Sequence, residues 1–338
     1  MTRRCWWLIA CCAATLAGAE PYRPEAGPNT PVSMDLDWKD AARDRAVPVR
    51  VWYPKDGPGP FPIIIFSHGL GGNRQAYAMH SSHWASWGYV VCNVQHLGSD
   101  DAVWRGVADP MAALRRAATD PRNLMNRPKD VSFAIDQMIA LNTAEGPLKG
   151  RLDTAKIGVS GHSFGGYTTL ASAGMTFPVG RREISFGDPR IVAGIAMSVP
   201  AVGKSEAMAD SIYGGIKIPI LHLTGTKDNS PIGETAPEQR RVPYDHIKCG
   251  NQTLIIYRDA DHMVFSGYRN DGQAVDPAVA ARLGGRDAKL DARIHTLLRE
   301  SCTAFWDCWL KGDQAAKDWF YGTGYKTEMG ADGTFETK

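Results

Sequence analysis

The chain has 338 residues, 43% of them hydrophobic and 22% charged, a balance that excludes a disordered or low-complexity chain. Its length is enough to bury roughly three quarters of the unfolded surface, so no metal or disulfide staple is needed for folding. Lys and Arg number 38 against 36 Asp and Glu, and Arg3 and Arg4 account for the net +2; with no basic excess, nucleic acid is not an expected partner.

At the N-terminus, Met1–Arg4 is short and basic, residues 5–16 are apolar apart from Thr15, and Ala17-Gly18-Ala19 offers a small-x-small cleavage pattern. This predicts a signal peptide over 1–19 and a secreted or periplasmic single domain over 20–338. A second option is a lipoprotein box at Leu8-Ile9-Ala10-Cys11, with lipid anchoring through Cys11. No later segment reaches the ~18 unbroken apolar residues of a membrane helix, so no transmembrane segment is expected.

Val32–Trp38 and Val47–Tyr53 alternate like a strand pair joined by a charged turn. Short apolar runs follow at Pro62–Phe66, Tyr89–Val94, Ile157–Ser160, Ile191–Ser198, Ile220–Thr224 and Thr253–Tyr257. Strands of this kind are buried on both faces, as in a parallel sheet. Helical patterns fall between and after them, at Ala76–Trp87, Val131–Leu141, Gly165–Ala173 and Asp291–Lys311. The prediction is an α/β fold: a three-layer sandwich with a mostly parallel central sheet and an antiparallel N-terminal strand pair. The polar segment 100–127, with Pro110 and Pro121, is a candidate cap or insertion.

Four cysteines follow the leader. Cys302 and Cys308 share one predicted helix, ~9 Å of rise apart, and cannot bridge each other. Cys92 lies inside an apolar run. Two arrangements stay open: Cys249 paired with Cys302 or Cys308, or four free thiols. No Cys/His spacing fits a zinc site, and neither metal nor cofactor is expected.

The strongest chemical signal is Gly161-His162-Ser163-Phe164-Gly165-Gly166, after an apolar strand and at the start of a helix. That is the context of a G-x-S-x-G nucleophile elbow, whose tight turn leaves no room for side chains two residues either side of the serine. A serine nucleophile needs a base and an acid to orient it. Asp228 follows the strand Ile220–Thr224, and His262 follows Thr253–Tyr257, so both sit past strand C-termini. Asp261 is a rival acid, disfavoured because a side chain cannot easily reach the ring of its immediate neighbour. Candidate oxyanion donors are the N–H groups of Phe164 and of Leu70, within Ser67-His68-Gly69-Leu70-Gly71-Gly72. His68 and His162 flank these elements and read first as local hydrogen-bonding residues. His96, Trp104, Met263 and Phe265 are further candidates for the pocket, with ordinary packing or a surface loop as the alternative.

The chain resembles the platelet-activating-factor acetylhydrolase and dienelactone-hydrolase-like branch of the α/β-hydrolases. The resemblance rests on Phe66–Gly72, His83–Val91, Gln95-His96 with Gly98–Asp101, Gly161–Gly166, Gly225–Asp228 and Asp261–Phe265. Dienelactone hydrolases carry a cysteine nucleophile where this chain has Ser163. Secreted polyester hydrolases look similar, but their elbow has Trp and Met where this chain has His162 and Phe164. The resemblance implies a serine carboxylic-ester hydrolase working through an acyl-enzyme on short to medium acyl esters, small-molecule or lipid-like. A polyester (cutinase-like) or lipid hydrolase on the same triad is the alternative, and a catalytically silent binding protein comes last.

Overall fold

Eleven strands are formed in the computed structural model, which describes residues 25–180, 182–203, 205–267 and 287–338. They are β1 (Pro31–Asp40), β2 (Arg45–Pro54), β3 (Phe61–Ser67), β4 (Val90–Val94), β5 (Leu152–His162), β6 (Thr176–Val179), β7 (Arg182–Ser185), β8 (Ile191–Met197), β9 (Ile220–Lys227), β10 (Gln252–Asp261) and β11 (Gly333–Thr337). Nine make one sheet in the order β1-β2-β4-β3-β5-β8-β9-β10-β11, while β6 and β7 form a separate hairpin. From β4 through β10 the neighbours run parallel; β1 with β2, β2 with β4, and β10 with β11 run antiparallel. This is the predicted mostly parallel sheet with an antiparallel N-terminal pair, the α/β-hydrolase architecture.

Successive side chains of a strand point to opposite faces, and each face has its own helices. Ile64, Phe66 and Val91 join a cluster with Trp84 of the helix Ala78–Ser86 and Leu298, Phe305 and Trp306 of the helix Ala288–Trp306. Ile63, Ile65, Val90 and Cys92 point the other way, onto Val131, Ile135 and Met138 of the helix Pro121–Leu141. Beside the latter lies the helix Phe164–Ser172, whose Leu170 and Ala171 pack under the second half of the sheet.

Several boundaries differ from the sequence reading. The helix expected over Val131–Leu141 begins a decade earlier, at Pro121, and runs through Pro128. A proline there deprives the Leu124 carbonyl of its usual partner, and the Tyr167 hydroxyl donates to that oxygen instead, at 3.2 Å. Segment 100–127 is therefore largely helical: a short turn at Asp101–Val103, the helix Pro110–Thr119, and the first turns of Pro121–Leu141. The helix expected over Asp291–Lys311 ends at Trp306 and continues as a π-turn, Asp307–Lys311. Strands β6, β7 and β11 lie outside the expected set; all are short, β7 is exposed and β11 is mostly half-buried.

Cys92, Cys249, Cys302 and Cys308 are free thiols, which corrects the option of a bridge from Cys249. Cys302 and Cys308 lie in one apolar cluster and Cys249 packs beside another. The predicted signal peptide and Cys11 lie outside the described residues. No helix among the described residues is long and apolar enough to cross a membrane.

Candidate active site

Strand β5 turns into the helix Phe164–Ser172 at Ser163, which takes φ 57° and ψ −117°. Such a positive φ is strained for a residue with a side chain, and the surroundings over-determine it. Ser163 N–H donates to the Met197 carbonyl at the end of β8, at 2.9 Å. A Cβ on Gly165 would overlap the Ser67 carbonyl oxygen, and one on Gly161 would overlap the Gly165 carbonyl. Only glycine fits either side of this turn. The turn leaves Ser163 partly exposed at the helix N-terminus, where developing negative charge is favoured.

His262 Nδ1 donates to Asp228 Oδ1 at 2.7 Å, and both side chains are buried. The other carboxylate oxygen, Oδ2, accepts from Thr224 Oγ1 at 2.8 Å. Burial works to raise the Asp228 pKa, but the His262 hydrogen bond and the charges of His262 and Arg240 outweigh it and hold the carboxyl down at about 2. His162, next to the serine, packs its ring 4.7 Å from that of His262 and donates from Nε2 to the His262 carbonyl at 2.8 Å. Ser163 and His262 are thus tied to one intervening side chain. The serine hydroxyl makes no hydrogen bond among the described residues, and such contacts commonly tighten only with substrate bound. The rival Asp261 is occupied elsewhere: its Oδ1 accepts from the N–H groups of Met263 and Val264, each at 2.9 Å, and closes the turn that carries His262.

In the loop after β3, the three glycine N–H groups are all taken. Gly69 donates to Tyr77 Oη at 3.1 Å, Gly71 to the Ser99 carbonyl at 2.9 Å and Gly72 to the Gly69 carbonyl at 3.1 Å. The N–H groups of Leu70 and Phe164 have no acceptor among the described residues. A hydroxyl, a carboxylate-held imidazole and two unspent N–H donors are the parts that acyl transfer needs.

The remaining candidates are sorted by burial. His162 Nδ1 accepts from the Tyr77 hydroxyl at 2.8 Å, which continues a chain from the Gly69 N–H to the His262 carbonyl. Burial, and after it the charge of His262, keep the His162 pKa well below the ordinary value. His68 is buried, donating from Nδ1 to Gly69 O at 2.6 Å and accepting the His96 N–H on Nε2 at 3.0 Å. His96 and Phe265 are fully buried, so neither lines an open pocket. His96 accepts from Ser67 Oγ at 3.0 Å and donates to Asp130 at 3.1 Å, and Phe265 packs in the core. Trp104 is half-buried and donates from Nε1 to the Gly71 carbonyl at 2.8 Å, which lays the segment after Asp100 against the Leu70 loop. Met263 stays half-buried beside His262.

Three polar residues escaped the sequence reading: Tyr77, Arg127 and Arg240. Each acts across a sequence gap in surroundings without a motif, so no local signal marks them. Arg240 lies in a turn at Pro237–Arg241 and forms an ion pair with Asp228 at 3.2 Å.

Residues 38–119 match the family described as "Platelet-activating factor acetylhydrolase, isoform II". That stretch carries the Leu70 loop and Trp104 but stops short of Ser163. The platelet-activating factor acetylhydrolase of Cavia porcellus is 30% identical over 135 residues, covering 32% of this chain and 31% of that protein. Those of Canis lupus familiaris and Bos taurus are each 24% identical over 199 residues, covering 51% of this chain and 41% of the relative. The matches thus span less than half the length of these relatives. The resemblance read from the motifs is borne out: this chain has an α/β-hydrolase fold and is similar to platelet-activating factor acetylhydrolases.

Proposed function

We propose that the chain is an exported serine carboxylic-ester hydrolase acting on short to medium acyl esters, small-molecule or lipid-like. The observation that carries this reading is the buried 2.7 Å contact between Asp228 and His262, beside a serine held at positive φ. Ser163 Oγ attacks the ester carbonyl while His262 Nε2 takes its proton. Asp228 holds the Nδ1–H tautomer and stabilises the imidazolium. Leu70 and Phe164 N–H groups receive the oxyanion, His262 returns the proton to the leaving alcohol, and water cleaves the acyl-enzyme by the same route in reverse. The sequence needs no cofactor.

Residues 20–338 would act as one catalytic domain after loss of the leader 1–19, with 100–127 as its cap. The names of the relatives support an acetyl-type substrate, and the cap supports a limit on acyl length. Arg105, Arg115, Arg116 and Arg122 stud it, and Val107 and Met125 are its two exposed large hydrophobics. Such a surface gives little reward for docking at an oil–water interface. Each buried methylene adds about 0.8 kcal/mol of binding, but only until the pocket ends.

The test is a series of p-nitrophenyl esters from two to sixteen carbons. High kcat/KM from acetyl to hexanoyl, then a fall to palmitoyl without a jump above the micellar threshold, supports the reading. A climb to sixteen carbons with such a jump indicates a lipase. Absence of turnover on every ester sinks the enzyme assignment.

A further inference from the structure

Arg127 is a fully buried cation beneath the Leu70 loop. Its Nε donates to Thr168 Oγ1 and its Nη1 to Ser99 Oγ, each at 2.8 Å, and its Nη2 donates to the His68 carbonyl. Its guanidinium carbon stands 4.5 Å from the centroid of the Phe164 ring. All these partners are neutral, and among the described residues Arg127 has no ion pair. Asp130, one turn along the same helix, is engaged by Arg43, Arg45 and His96. Burial lowers the Arg127 pKa to about 9, against the opposing charge of Asp130, so the side chain stays cationic at neutral pH.

Taking a charge out of water without a direct ion-pair partner is costly, and the position of this one is specific. Fixing the His68 carbonyl fixes the chain two residues before Leu70. Ser99 extends the grip, because its own carbonyl accepts the Gly71 N–H just past Leu70. On the other side, Phe164 stacks on the guanidinium, and Thr168 Oγ1 donates to the Phe164 carbonyl at 2.9 Å. Both unspent N–H donors are thus steadied by one side chain.

We propose that Arg127 is the positioning residue of the oxyanion hole, holding Leu70 and Phe164 N–H in place to receive the tetrahedral oxyanion. This rests on the ester-hydrolase reading of Ser163. Donors held in place where negative charge develops act in the transition state, so their misplacement lowers kcat and leaves KM nearly alone.

The test compares the full chain with Arg127→Lys, Arg127→Met and Thr168→Val. It reads kcat and KM on p-nitrophenyl acetate, the Ki of an aryl trifluoromethyl ketone, which forms a tetrahedral oxyanion adduct, and the melting temperature. Removing an oxyanion donor typically costs about 10²–10³ in kcat, and Arg127→Met should approach that loss. Arg127→Lys keeps the charge without the fork and should lose roughly tenfold, and Thr168→Val less. KM should stay within about threefold, and ketone affinity should fall in step with kcat/KM. If the Met variant does not fold, the Lys and Val variants carry the comparison. Folded variants with undiminished kcat, or a loss expressed in KM with ketone affinity unchanged, overturn the proposal alone. A wild type that cleaves no ester overturns the ester-hydrolase reading and this proposal together.

Discussion

Arg240 Nη2 lies 3.2 Å from Asp228 Oδ1, the oxygen that also receives the His262 Nδ1–H. The same guanidinium donates from Nε to the Asp228 carbonyl at 3.2 Å and from Nη1 to the Ser198 carbonyl at 2.9 Å, joining the segments after β8 and β9. Its Nη2 also stands 3.2 Å from His262 Nδ1, but arginine only donates, and an Nδ1 that gives its proton to Asp228 cannot accept. That contact is an approach of charge, and the hydrogen bond belongs to the carboxylate.

Arg240→Gln should therefore leave a buried carboxylate short of its cation. The expected cost is about 3 kcal/mol of folding stability, together with a loss of kcat. Urea unfolding and ester turnover on the same preparation check both. An unchanged urea midpoint would mean that the ion pair is dispensable.

The two neighbouring acids should separate cleanly. Asp228→Asn favours the wrong imidazole tautomer and should lower kcat by about 10⁴. Asp261→Asn disturbs only a turn and should cost a few-fold. Steady-state kinetics on both variants decides; a larger loss at Asp261 would transfer the acid's role.

Gly165→Ala should fail to give a stable protein, because the new Cβ overlaps the Ser67 carbonyl oxygen. Gly250→Ala is the control, with nothing within 4 Å of the added carbon. Its effect should stay within about 0.5 kcal/mol, as for other open surface positions. Soluble yield and melting temperature distinguish the two.

The parts that were legible in the sequence have local physical causes. Continuous apolar runs marked the sheet because parallel strands are buried on both faces, and Gly161 and Gly165 marked the elbow because no other residue fits there. Asp228 and His262 were legible from their places after strand ends. The supports were not. Arg240 meets Asp228 twelve residues away across an irregular loop, and Arg127 meets His68, Ser99 and Thr168 through the fold alone. The extension of the Val131–Leu141 helix back to Pro121 was not legible either, because the Tyr167 hydroxyl that satisfies the Leu124 carbonyl beside Pro128 comes from another helix. A hydroxyl–imidazole–carboxylate series also recurs in Ser67, His96 and Asp130, with all three buried, so the pattern without exposure is structural.

Acid should destabilise the fold above the carboxylate range. Burial, the largest cause in each case, lowers the pKa of His80 and His222 to about 4 and of His83 and His96 to about 3, and holds His68 and His162 well below the ordinary value. An unfolded histidine protonates near ~6.5, so the unfolded chain takes up these protons first. Stability is therefore full above that pH and falls as pH drops below it, by up to about 1.4 kcal/mol per pH unit for each such group. Asp130 and Asp228, both held at about 2, add a further loss only between roughly pH 4 and 2. Melting temperature against pH at constant ionic strength should decline already between 6.5 and 5. A flat profile down to pH 4.5 would contradict the neutral buried histidines.

The most direct measurement is covalent labelling with a fluorophosphonate, followed by peptide mass spectrometry, on the wild type and on Ser163→Ala. The account predicts one adduct, on the peptide carrying Ser163, formed in step with loss of ester turnover. It predicts neither adduct nor turnover above about a thousandth of wild type in Ser163→Ala, whose melting temperature should match the parent. An adduct on another residue, or turnover in Ser163→Ala above a tenth of wild type, would contradict it.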